Sequence, residues 1–177
     1  KKTVAKLCDY LEPDAEFTES VNWIKFDKER KLIGNNFDGK GFITGFKSQS
    51  FILKNKNICI YGAGGAAVSI ACSIAMEGIN SLRIINRDHL KANNLLKKIK
   101  ARFNFLKVEV VNSKDNYSLS EIDIIINATS LGLNKEIINL DFSQSGNNKL
   151  YYDVIYNPPL TNFLIRGKEL GNKIENG

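Results

Sequence analysis

A doubly wound α/β fold, with a parallel sheet between helical layers, is predicted by three features of this 177-residue sequence. From Lys56 onward, short apolar runs alternate with longer segments that read as helices, the rhythm of strand–helix–strand units. The short runs are continuous in Ile and Val rather than alternating with polar residues, which marks strands buried on both faces of a parallel sheet. A glycine-rich stretch, YGAGGAA at 61–67, follows one such run and opens a segment of small residues.

Taken in chain order, residues 1–12 set Val4, Leu7, Cys8 and Leu11 on one helical stripe, with Pro13 as the stop. A short strand pair is expected around the charged turn from Asp27 to Arg30. GKGFITGFKSQS at 39–50 reads as a weak helix interrupted by glycines, and a domain boundary is placed near it. Strands are then expected at 57–61, 82–86, 106–111, 122–127 and 150–155, with helices at 65–78, 88–103 and 161–170. Right-handed crossovers between parallel strands give the doubly wound topology.

Composition narrows the function classes. Apolar residues make up 43% and charged residues 25%, the mix of a chain that buries a core in water. No apolar run approaches the roughly 20 residues of a membrane helix, and no leader opens the chain, so a cytoplasmic location with no membrane partner is expected. The three cysteines, Cys8, Cys59 and Cys72, lack C-x-x-C spacing and suit a reduced compartment. A single histidine, His89, cannot build a multi-His metal site or a Ser-His triad, so no metal site is expected. The net charge of +6 is spread over scattered lysines without interleaved aromatics. That pattern predicts no nucleic-acid partner and is compatible with a polyanionic small molecule.

Gly62, Gly64 and Ala67 fit G-x-G-x-x-A, the dinucleotide turn of Rossmann-like folds. Gly62 permits the tight turn, Gly64 admits a pyrophosphate to the backbone, and Ala67 lets helix and strand pack closely. Ala63, Gly65 and Ala66 complete the phosphate-facing stretch, where free N–H groups and the helix dipole favour an anion. An acidic residue that bonds an NAD ribose should close the second strand. Asn86 and Arg87 stand there instead, with Lys91 one turn into the next helix. A guanidinium pairs bidentately with a 2′-phosphate, so the expected cofactor is NADP(H). Asp88 is able to cap the helix or bond ribose hydroxyls, which keeps NAD(H) as the alternative. Read alone, Arg87 and Lys91 also fit an exposed basic helix start.

The chain resembles the shikimate dehydrogenase family (shikimate 5-dehydrogenase and quinate/shikimate dehydrogenase) along its whole length. The resemblance is carried by ESVNWI at 19–24, IGNNFDGKGF at 33–42, YGAGGAA at 61–67 and NRD at 86–88. It continues through INATSLGL at 126–133, YDVIYNPPLTNFL at 152–164 and NG at 176–177. It implies NADP-dependent reduction of 3-dehydroshikimate to shikimate in aromatic amino-acid biosynthesis, by a monomer or homodimer acting on a small-molecule substrate. The implied catalytic pair is Lys1 and Asp38, which also contact substrate together with Asn22 and Tyr156. Thr129, Ser130 and Leu133 are implied beside the nicotinamide, and Gly177 as a backbone contact to its amide. Without the resemblance, Lys1 is a terminal lysine, Asp38 before Gly39 a turn or capping residue, Asn22 a turn residue and Tyr156 a packed aromatic.

Trp23 and Phe37 stand where the family usually has threonine, Leu133 where it most often has methionine, and Asp88 in place of a common threonine. The resemblance also implies that this is a central fragment, with 1–40 the remnant of a second, α/β substrate-binding domain, 41–165 the NADP-binding domain and 166–177 the start of a return to the first. A substrate-binding serine pair would precede it, and a substrate-binding glutamine and the last helices would follow. On its own the 177-residue chain is expected to keep some NADP affinity but to show negligible shikimate oxidation.

Overall fold

A computed structural model describes residues 1–115, 117–134, 136–138 and 145–177. Two sheets organise them. The larger has six parallel strands in the order β6-β5-β4-β7-β8-β9. These are β4 (Asn57–Tyr61), β5 (Ser81–Asn86), β6 (Lys107–Asn112), β7 (Ile124–Asn127), β8 (Leu150–Asp153) and β9 (Lys173–Asn176). Helices α4 (Gly65–Met76), α5 (His89–Arg102) and α6 (Asn162–Glu169) lie between them in the chain. The chain winds from β4 outward to β6, then returns to the other side of β4 through β7. This switch point opens a crevice at the carboxyl ends of β4 and β7, where ligands of open α/β sheets bind.

The predicted strands and helices of this sheet all form, with ends shifted by a residue or two. Their continuous apolar runs are buried as expected: Ile58, Cys59 and Ile60 of β4, and Ile125 and Ile126 of β7, are fully enclosed. Each such isoleucine contributes about 1.5–3 kcal/mol relative to leaving it exposed. Burial also pushes the Cys59 thiol up to about 12, consistent with a packing role rather than a reactive one. Ala67 is fully buried where α4 crosses the sheet.

The smaller sheet has three strands in the order β1-β3-β2, formed by β1 (Tyr10–Leu11), β2 (Trp23–Phe26) and β3 (Leu32–Asn35). β2 and β3 are the expected antiparallel pair around the charged turn. The single helix expected over 1–12 is not found. α1 covers only Lys2–Ala5, residues 10–11 pair with β3, and Pro13 opens α2 (Pro13–Thr18) instead of ending a helix. Proline is favoured at a first helical position, where its missing N–H costs nothing. The apolar stripe serves the sheet: the Cys8 sulfur and the Leu11 methyl close on Gly34, where a Cβ would lie 2.7 and 3.0 Å from them. Leu7 is exposed.

Between the sheets runs α3 (Asp38–Ser48), an unbroken eleven-residue helix where glycine interruption was expected. Tertiary packing overrides propensity here. A Cβ at Gly39 would lie 2.2 Å from the Ser73 hydroxyl and 2.6 Å from the Ser69 carbonyl, so glycine lets α3 press onto α4. Phe42 and Phe46 stack along the same helix and both meet Tyr152 of β8. Residues 166–177, expected to begin a return to the first domain, instead supply the end of α6 and the edge strand β9.

Candidate active site

Lys1, Asn22 and Asp38 converge although 37 positions separate the outer two. The Lys1 ammonium lies 2.5 Å from Asp38 Oδ2, and Asn22 Nδ2 donates to Asp38 Oδ1 at 2.6 Å. Each has a local cause. Asn22 directly precedes β2; its backbone N–H bonds Asn35 of β3, and its side-chain carbonyl accepts from the Phe37 N–H. Asp38 is the first residue of α3, and its N–H is taken by Asn36 Oδ1 at 3.0 Å. Asn36 is buried and also bonds Thr18 and the Ser20 carbonyl, so it fixes where α3 starts. Neither composition nor periodicity marks Asn36 as a positioning residue. Its signal was the N-x-D spacing, which lets an asparagine carbonyl accept an N–H two residues on.

These side chains line a cavity of about 460 Å³ closed by Phe42, Ile70, Tyr152 and Gly177. Lys1 and Asp38 keep 49% and 26% of their side-chain surface exposed, so both are accessible to a ligand. Trp23 and Phe37, flanking Asn22 and Asp38, meet edge to face at 5.6 Å and form an apolar rim. Tyr156 does not line this cavity. It is 73% exposed and belongs to the next one along the crevice.

The glycine turn lies at the switch point. Gly62 has φ +118°, and a Cβ there would strike Thr129 and the Ala128 carbonyl, so this residue shapes the turn itself. Gly64 and Gly65 differ: a Cβ at either meets nothing within 4 Å. Gly64 is in an extended conformation open to any residue. The protein's own packing therefore does not require glycine at these two positions, whereas a phosphate approaching the backbone does. The N-terminus of α4 also has no side-chain cap and no acidic residue in its first turn, leaving free N–H groups for an anion.

A cavity of about 360 Å³ joins this turn, including Ala63, to Asn86, Arg87, Asp88 and Lys91. Arg87 makes no ion pair among the described residues. Lys91 is partly claimed, its ammonium 3.3 Å from Asp88. Asp88 caps α5, and the Lys91 backbone N–H holds its carboxyl below the usual range. Beyond the glycines lies a third cavity, of about 590 Å³, lined by Gly65, Ala66, Thr129, Ser130, Leu133 and Tyr156 among others. It shares Gly64 and Thr129 with the cationic cavity, and Ala66 and Val154 with the Lys1–Asp38 cavity. The three form one trough along the carboxyl edge of the sheet. A cationic end and an amine–carboxylate end thus belong to one trough, and the residues present fit an extended nicotinamide dinucleotide.

Among the described residues no group of three or more metal-ligating side chains occurs, and no helix is long and apolar enough to cross a membrane. The family model for shikimate / quinate 5-dehydrogenase matches residues 46–150. Shikimate dehydrogenase (NADP(+)) of Pelagibacter ubique strain HTCC1062 is 37% identical over 178 residues, covering all of this chain and 63% of the relative. A shikimate dehydrogenase solved in complex with NADP+ is 34% identical with a TM-score of 0.89, covering all of this chain and 62% of that one. Shikimate 5-dehydrogenase from Listeria monocytogenes, solved with shikimate and NAD, is 28% identical with the same TM-score of 0.89; all of this chain matches 64% of that one. The chain therefore spans just under two thirds of the length of its relatives. Fold, ordered motifs and family match agree: the chain belongs to the shikimate / quinate 5-dehydrogenase family.

Proposed function

We propose that this chain is the cofactor-binding and partly catalytic portion of an NADP-dependent shikimate dehydrogenase. The observation that supports this most is the continuity of the trough, with Arg87, which makes no ion pair among the described residues, at one end and the Lys1–Asp38 pair at the other. Residues 1–40 belong to the substrate side and the six-stranded sheet to the cofactor side. Arg87 and Lys91 hold the 2′-phosphate, Asn86 lies beside the ribose, and the turn from Gly62 to Ala66 receives the pyrophosphate. Thr129, Ser130 and Leu133 flank the nicotinamide, with Gly177 at the far wall.

When bound, NADPH supplies a hydride to the substrate ketone carbon. Negative charge then grows on the carbonyl oxygen, and Lys1 donates a proton to it from its ammonium. Asp38 orients Lys1 through Oδ2 and accepts from a substrate hydroxyl, while Asn22 holds the other carboxylate oxygen and offers its amide to the substrate. Tyr156, at the neighbouring cavity, closes over the ring from the nicotinamide side.

A second reading, an NAD-using quinate/shikimate dehydrogenase, is favoured by Asp88. Its carboxylate occupies part of the Lys91 charge and is placed to accept from ribose hydroxyls. Fluorescence titration with NADPH and NADH separates the two. The NADP reading expects NADPH to bind about 10- to 100-fold tighter, with the preference abolished in Arg87→Ala. Equal affinities in the unsubstituted chain favour the second reading.

A further inference from the structure

We propose that Asp153 and Asn127 form a buried relay that positions the nicotinamide end of the dinucleotide, a role that rests on the cofactor reading above. Both side chains are fully buried at the carboxyl tips of β8 and β7. Asp153 has no cationic partner in any ion pair among the described residues. Its carboxylate instead accepts three bonds from three segments: Asn127 Nδ2 at 2.9 Å, the Ile155 N–H at 3.0 Å and the Thr161 hydroxyl at 2.6 Å. Its backbone carbonyl takes the Gly177 N–H at 2.8 Å. A buried charge without a counter-ion is costly, and apolar packing would hold β7 against β8 as well. The carboxylate has a specific advantage, since an amide keeps only one acceptor oxygen: its N–H₂ would face either the Asn127 and Ile155 donors or the Thr161 hydroxyl, which then loses the acceptor for its own proton.

The relay continues outward. Asn127 Oδ1 accepts from both the N–H and the hydroxyl of Thr129, at 3.1 and 2.7 Å, and the Thr129 hydroxyl accepts from the Leu131 N–H at 3.1 Å. Asn127 Nδ2 also reaches the Leu131 carbonyl at 3.2 Å. Thr129 and Ile155 line the 590 Å³ cavity next to the Lys1–Asp38 pair. Thr161 caps α6, which fixes the far end of the loop carrying Tyr156. One carboxylate thus sets two walls of this cavity against each other. Arg87 and Lys91 stand on the β5–α5 side and, among the described residues, share no bond with the relay, although Thr129 and Leu131 also line their cavity.

The test compares two ligands on the 177-residue chain: NADPH, and 2′,5′-ADP, which carries the adenosine phosphate but no nicotinamide. Asp153→Asn is expected to raise the NADPH Kd about tenfold, and the near-isosteric Thr161→Val about threefold, by loss of one charge-assisted bond or part of it. The 2′,5′-ADP Kd stays within about twofold in both, because the cation cluster is untouched. Thermal melting accompanies each titration, and Thr161→Val carries the contrast if Asp153→Asn does not fold. Equal weakening of both ligands, or unchanged NADPH affinity in a folded variant, overturns the relay while leaving the cofactor reading standing. An unsubstituted chain that binds neither ligand overturns both.

Discussion

The two sheets divide the labour unequally. In the six-stranded sheet every residue of β7 and β8 is buried, whereas all four residues of β2 in the three-stranded sheet are exposed, including Trp23, Ile24 and Phe26. Yet the lightly buried region supplies Lys1 and Asn22, and α3 between the sheets supplies Asp38. The heavily buried region supplies only the trough along which a cofactor can lie. Burial is therefore concentrated in one sheet, and the Lys1–Asp38 pair proposed to move the proton lies at the edge of the other.

The largest expected effect tests the chemical half. Asp38→Ala, assayed for shikimate oxidation in the chain together with whatever its reading frame adds on either side, should lower turnover about 10²- to 10⁴-fold with little change in melting. Near-normal turnover would remove Asp38 from the catalytic pair. The next effect tests the stability half. Ile60→Ala in β4 should cost about 3 kcal/mol in urea unfolding, against about 0.5 kcal/mol for half-exposed Ile24→Ala in β2; equal losses would erase the contrast between the sheets. Gly64→Ala sharpens it further, separating ligand from scaffold at one residue. Its melting temperature should not fall, since a Cβ meets nothing there, while NADPH affinity drops about tenfold.

The smallest effect is a pH dependence at the trough wall. Glu136 accepts the Gly132 and Asn134 N–H groups, and such bonds, the Asn134 one first, hold its carboxyl down at about 2. A depressed carboxylate stabilises above its unfolded value and loses that contribution as pH falls through its folded one. Hydrogen exchange at the Gly132 and Asn134 amides should therefore quicken, relative to intrinsic rates, between about pH 4.5 and pH 2. Unchanged protection factors across that window would detach Glu136 from the loop.

How much of this was legible in sequence depended on the range of the interactions involved. The six-stranded sheet was readable because its strands are buried on both faces and say so locally, and the turn because Gly62 and Ala67 obey local steric rules. The start of the chain was misread because a stripe at helical spacing can equally meet a sheet: Cys8 and Leu11 pack on Gly34, more than 20 positions away. The glycines of α3 looked like breaks because the reason for Gly39, the surface of α4, lies 30 or more positions downstream. Lys1 and Asp38 acquired roles from resemblance, and no periodicity announces that they meet. β9 was missed because KIEN is a short edge strand with little apolar content.

The notch at Gly39 has a mechanical consequence. Because α3 is pressed onto α4 there, Asp38 is coupled to the six-stranded sheet as well as, through Asn36, to the small one that carries Asn22. Relative movement of the two sheets would then be felt at the contacts of Asp38 with Lys1 and Asn22. Trp23, the sole tryptophan, rests edge-on against Phe37 at this seam, and its emission offers a built-in gauge of the gap. An emission that ignores ligand-driven closure would mean that the seam does not part.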